Sequence, residues 1–135
     1  MPRLARAPHL LLLLLLGAAC LSASQPCALP YTGIPTFHLR VAPGEVRAFP
    51  GGLDIPPGQV ALIEGVANVT GGVTVGGTLY LSSKSPSKIA ADWVAVAAGG
   101  RLVAGSEACP VPAGVTATLE LRAGSRHPNA GLKAL

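Results

Sequence analysis

The stretch from Leu53 to Gly105 echoes itself. Val73-Thr74-Val75 is followed by Gly76-Gly77-Thr78-Leu79, and Val94-Ala95-Val96 is followed by Gly99-Gly100-Arg101-Leu102. Each copy has apolar residues at every second position, then a glycine pair, then a second apolar run. Alternation of period 2 is the mark of a strand with one face buried, and paired glycines end such a strand in a turn. The two copies begin 21 residues apart, about one rung of a solenoid built from short strands. Hairpins give the same local pattern. The repeat therefore specifies an all-β chain of short strands and Gly-rich turns, and leaves two architectures open, β-solenoid-like or sandwich-like.

The rest of the chain agrees with that class. Glycine (17) and proline (13) punctuate β-branched runs throughout, the pattern of strands at regular spacing. Half of the 135 residues are hydrophobic, so a single domain can bury a core. Phe37, Leu39 and Val41 alternate as a strand. Ala42-Pro43-Gly44-Glu45 suits a type II turn, with Pro at the second position and Gly at the third, and Val46 to Phe49 would return as the partner strand of a hairpin. Leu53 to Ile55 and Val60 to Ile63 are short strands on either side of the Pro56-Pro57-Gly58 turn. Ser82 to Ser87 is a polar loop. Val115 to Leu121 is the last clear strand, with Val115, Ala117, Leu119 and Leu121 facing inward.

Residues 1–24 are of a different kind. Arg3 and Arg6 precede seven consecutive leucines, Leu10 to Leu16, and small residues lead to Ser24. This is the layout of a secretory signal peptide cut before Gln25. The apolar run is shorter than the ~20 residues that span a bilayer, so a membrane enters only through an uncleaved signal. The expected product is secreted and extracellular. The formal charge of +4 falls to +2 without Arg3 and Arg6. That is too mild, with no basic cluster, for a nucleic-acid partner.

In an oxidising compartment the two cysteines that survive cleavage, Cys27 and Cys109, form an even pair and are expected to bridge. Asn68-Val69-Thr70 is an N-glycosylation sequon. Lys84, Lys88 and Trp93 are the candidate contacts for an extracellular glycan. His38 lies on a polar strand face without a companion ligand, and no metal or cofactor is expected. The six acids (Glu45, Asp54, Glu64, Asp92, Glu107 and Glu120) are scattered singly, so no carboxylate pair of the kind a glycosidase needs is marked out. No Ser is framed as a nucleophile elbow.

These residues resemble the G8 domain, an extracellular all-β module named for its glycines. Ile55 and Gly58 match its opening. Val73-Thr74-Val75 with Gly77 and Leu79 matches its central rung. Val94, Val96, Gly99-Gly100, Leu102 and Gly105-Ser106 match its most specific part. Cys109-Pro110 ahead of the last strand, and Gly131-Leu132-Lys133 after it, look closest to the subgroup found in hyaluronan-depolymerising proteins. These are the cell-migration-inducing hyaluronan-binding protein and the cell-surface transmembrane hyaluronidase. In that subgroup the module leads into a longer right-handed parallel β-helix, to which the activity belongs, and no catalytic residue is carried over. The expected organisation is a signal peptide (1–24), an irregular segment with a hairpin (25–52), a G8 domain (53–124) and a tail (125–135) that reads as cut off. The resemblance implies a secreted, non-catalytic module at the N-terminal end of a hyaluronan-binding or hyaluronan-processing protein. Its partners would be hyaluronan or another extracellular glycan, and the rest of a β-helix. The alternative is a stand-alone adhesion or receptor-like module that binds a protein, as in fibrocystin-like proteins.

Overall fold

The structure, a computed structural model, describes residues 36–128 together with residues 29, 31, 33 and 34. Within these described residues eleven strands wind as a parallel β-solenoid. The first rung holds β1 (Leu39–Val41), β2 (Val46–Phe49) and β3 (Leu53–Ile55). The second holds β4 (Val60–Ile63), β5 (Val66–Val69) and β6 (Gly72–Val75). The third holds β7 (Thr78–Leu81), β8 (Ser87–Ala91) and β9 (Trp93–Val96). Then follow β10 (Arg101–Ala104) and β11 (Ala117–Leu121). Stacking of like strands gives three sheets, in the orders β1-β4-β7-β10, β2-β5-β8-β11 and β3-β6-β9, here called A, B and C. Every strand pair is parallel.

The 21-residue echo is the register of sheet C. Val73 pairs with Val94 and Val75 with Val96. Columns of aliphatic side chains fill the interior, such as Leu53 over Val73 over Val94, and Ala61 over Leu79 over Leu102. Val41, Ile63, Val69, Val73, Val75, Leu79 and Ile89 are fully buried. Chains this close together leave no space at certain turn positions. A Cβ at Gly77 would overlap the carbonyl oxygen of Gln59, and one at Gly100 would overlap that of Val75. The second glycine of each pair is thus demanded by the stacking of rungs, not by the turn alone.

The solenoid replaces the sandwich-like alternative, and it corrects the expected hairpin. The turn at Ala42–Glu45 forms, with Gly44 at φ 75° and Glu45 N donating to Ala42 O at 3.0 Å. It does not fold β2 back on β1, however. It turns a corner: β1 pairs with β4, and β2 pairs with β5. A type II turn reverses or deflects a chain equally well, and only the stacking of later rungs decides between them.

Candidate functional site

Sheets A and B meet at a corner crossed by the connections 42–45, 64–65, 82–86 and 105–116. The last is the longest, and insertions collected on one side of a repeat fold are its usual functional side. The outer face of sheet A beside this corner is covered. Tyr31 packs edge-on against Tyr80, ring centroids 5.8 Å apart. Tyr80 is the register partner of Leu62, which is 2% exposed although it lies on the outer face. The Tyr31 hydroxyl accepts from Ser83 N at 3.2 Å. Ser82 Oγ, fully buried, accepts from the backbone of Lys84 and Ser85 at 3.1 and 3.3 Å. Ser85 Oγ donates to Glu64 O at 2.9 Å. Half of the stretch expected to be a polar loop is therefore buried: Ser82, Ser83 and Ser87 are inside, and among the described residues Ser83 Oγ and Ser87 Oγ have no hydrogen-bond partner. Glu64, itself buried, accepts from Arg40 Nε at 2.6 Å.

The candidate glycan contacts do not converge. Lys84 is exposed on the 82–86 loop. Lys88 lies on β8, where it ion-pairs with Glu120 of β11, and this pairing holds the Glu120 carboxyl below its ordinary value. Trp93 lies on sheet C. It is the register partner of Gly72, and a Cβ at Gly72 would overlap the indole, so the ring lies against bare backbone. The ring of His127 meets Trp93 at a centroid distance of 4.5 Å and an angle of 89°. The neighbouring Asp92 carboxylate accepts from both the backbone N and the Oγ of Ser125 at 2.9 Å, which lowers its pKa. Arg122 donates to the carbonyls of Val69 and Ala90. Trp93 thus anchors the segment that follows β11.

The other sequence candidates fall elsewhere. Asn68 is half-buried in the middle of β5, between the fully buried Ala67 and Val69, in register with Ala48 and Ala90. Cys109 is buried in the 105–116 loop and is not a free residue. Its expected partner Cys27 and the signal sequence lie outside the described residues. His38 Nδ1 accepts from Val60 N at 3.2 Å. Glu45 is held by Ala42 N and by Arg47, in that order of effect, and its pKa is lowered. Among the described residues no group of three or more His, Cys, Asp or Glu is placed to hold a metal, and no helix is long and apolar enough to cross a membrane.

Sequence reasoning did not mark out the side chains at the end of the described solenoid. Beyond β9, β10 and β11 there is no further paired strand among the described residues. Val96 is 43% exposed and Leu121 36%, whereas their register partners one rung back, Val75 and Ala91, are fully buried. Leu102 and Leu119 are likewise only partly covered. The opposite end also has partly covered residues, Leu39 and Phe49, but it differs in carrying a charge in one core column. There Arg47, held by Glu45, takes the position in register with Ala67 and Ile89.

A family model for the G8 domain matches residues 53–135. The chain belongs to the G8 domain family. No curated protein and no solved structure matches it significantly. The G8 match begins at β3, yet β1 and β2 belong to the same sheets and complete the first rung. The family is typical of extracellular proteins.

Proposed function

We propose that this chain is a secreted, non-catalytic G8 module. It forms the N-terminal part of a hyaluronan-binding or hyaluronan-processing protein, and its β9–β11 end receives the next rungs of a β-helix. The observation that carries this reading is the contrast between the two ends. One carries an ion-paired Arg47 in the core column, a charged finish that discourages further stacking. The other presents Val96, Leu102, Leu119 and Leu121 with no charge in the core columns, and among the described residues the three strands at either end have a neighbour on one side only. Stacking one more rung there satisfies backbone groups and buries apolar area in a single step. Hyaluronan as the glycan rests on the subgroup resemblance of Cys109-Pro110, with Lys84 exposed on the corner that carries the longest loops. The same reading includes signal cleavage before Gln25 and a Cys27–Cys109 bridge tying the N-terminal segment to the 105–116 loop.

The test has two arms. The transcript is sequenced past the codon for Leu135, and a reading frame that continues into repeated short strands is the expected result. A stop codon there sinks the acceptor role. Purified secreted protein is added to hyaluronan, with binding of hyaluronan oligosaccharides followed by calorimetry and chain length by viscosity. Binding without loss of viscosity is expected. A fall in viscosity overturns the non-catalytic assignment. Capture of a protein partner that hyaluronan does not compete away would favour the adhesion or receptor-like alternative.

A further inference from the structure

We infer that Asn68 carries an N-linked glycan whose first sugar lies across Val46 and Ala48, so that the outer face of sheet B is a shielded face and not a ligand face. The inference rests on the secretion stated above. In the secretory pathway the side-chain nitrogen Nδ2 of Asn68 forms a bond to the anomeric carbon of N-acetylglucosamine on a lipid-pyrophosphate oligosaccharide donor. The bond from that carbon to the pyrophosphate oxygen breaks, Nδ2 gives up one proton, and lipid pyrophosphate leaves.

The geometry leaves one side of Asn68 open. Ala67 and Val69 point into the core, so Asn68 and Val66 share the outer face. Ala48 pairs with Asn68, and Val46 with Val66, on the first-rung side. Val46 is 66% exposed, the most exposed large hydrophobic residue of the described chain, and Ala48 beside it is also exposed. The opposite side is occupied. Ala90, the other partner of Asn68, is 2% exposed, and Arg122 donates to its carbonyl. Lys88 and Glu120 ion-pair across the next two strands. Along the sheet a sugar on Nδ2 therefore has one open side, and that side offers a small, apolar, uncovered surface. An acetamido methyl and an apolar sugar face suit that surface, because burial of valine area is favourable and no unpaired polar group is covered. Thr70, the third residue of the sequon, is exposed at the end of β5.

The test uses the full chain secreted from mammalian cells that make only high-mannose glycans. Recovery from the medium with an N-terminus at Gln25 establishes secretion independently of any sugar, so failure here is distinct from failure of the function proposed above. Peptide mass spectrometry should place a glycan on Asn68, and an unmodified Asn68 in secreted protein overturns the inference. Thr70→Ala, which removes the sequon but keeps Asn68, should melt about 4 °C lower. Thr70→Ser should not, and protein trimmed to a single N-acetylglucosamine should match the untrimmed form. In the Val46→Ser background the effect of Thr70→Ala should shrink to less than half. An equal loss with and without Val46, or no loss at all, refutes the contact. An NMR cross-peak between the acetamido methyl and the Val46 methyls reads the placement directly, and its absence in folded, glycosylated protein refutes it too.

Discussion

Val75 and Val96 stand in one column, one rung apart, and they differ in a single respect. Val75 has rungs on both sides and is fully buried, whereas Val96 has one and is 43% exposed. The substitution Val→Ala at either position removes the same two methyl groups. At Val75 the transfer term is about 1.6 kcal/mol, from ~0.8 kcal/mol per buried carbon. A closed cavity adds to it, for a total of about 2–3 kcal/mol. At Val96 about half the side chain is already in water and no closed cavity forms, so about 0.5–1 kcal/mol is expected. Urea denaturation of the secreted chain measures both. The two variants should share the parental dependence on urea, with midpoints separated in proportion to the ~1.5–2 kcal/mol difference. Equal losses would refute the reasoning, because Val96 would then be covered in solution and the end would not be free. In a protein that carries a further rung, Val96→Ala should rise to the cost of Val75→Ala.

Gly72→Ala drives a Cβ into the Trp93 indole. It should cost about 1–3 kcal/mol and shift the emission of the single tryptophan to the red, so unchanged fluorescence would show that the ring does not lie on Gly72. Secreted protein should titrate with no free thiol, and Cys109→Ser should lower stability by about 2–5 kcal/mol; a reactive thiol in the unreduced protein contradicts the bridge. Glu45, Asp92 and Glu120 all have folded pKa values below their ordinary 4.5, 3.8 and 4.5. In acid the unfolded chain therefore binds more protons than the folded one, and the stabilisation, complete above the ordinary values, is lost as pH falls through them and on through the depressed folded ones. Thermal melts should fall with pH below about 5, less steeply in Glu120→Gln than in the parent; a flat profile would show that these contacts do not persist in solution.

Several strands were legible because their alternation is local; β8 was not, because Ser87 to Ala91 follows a polar run and does not alternate. Val60–Ile63 and Leu53–Ile55 have the bounds that their apolar residues suggest, and the echo of Val73 and Val94 is a true register pair. The pairing of β1 was not legible. The Ala42–Glu45 turn has the same chemistry in a hairpin as at a solenoid corner, and the difference lies in β4, some twenty residues later. The candidate contacts dispersed for a related reason. Lys84 and Lys88 are four residues apart, but a chain that turns a corner between them puts one on a loop and the other on a sheet face. Tyr31 was invisible because it lies among breakers with no periodicity. Its weight comes from Tyr80 and Ser83, about fifty residues away.

The position of Trp93 bears on where a ligand can act. A platform for a sugar needs an open aromatic face, and this indole already has Gly72 beneath it and the ring of His127 against it. The same segment is fastened by Asp92 to Ser125 and by Arg122 to two carbonyls. Sheet A is covered by Tyr31, and sheet B bears the Asn68 sequon beside an ion pair. Each lateral face therefore has a resident of its own. Among the described residues two exposed places are left: Lys84 with most of the 105–116 loop, and the apolar end at Val96 and Leu121. The proposed glycan contact is placed at the first, where Lys84 and most of the longest loop are exposed. The second is the proposed acceptor of another rung, which would pair the strand edges and cover leucine together.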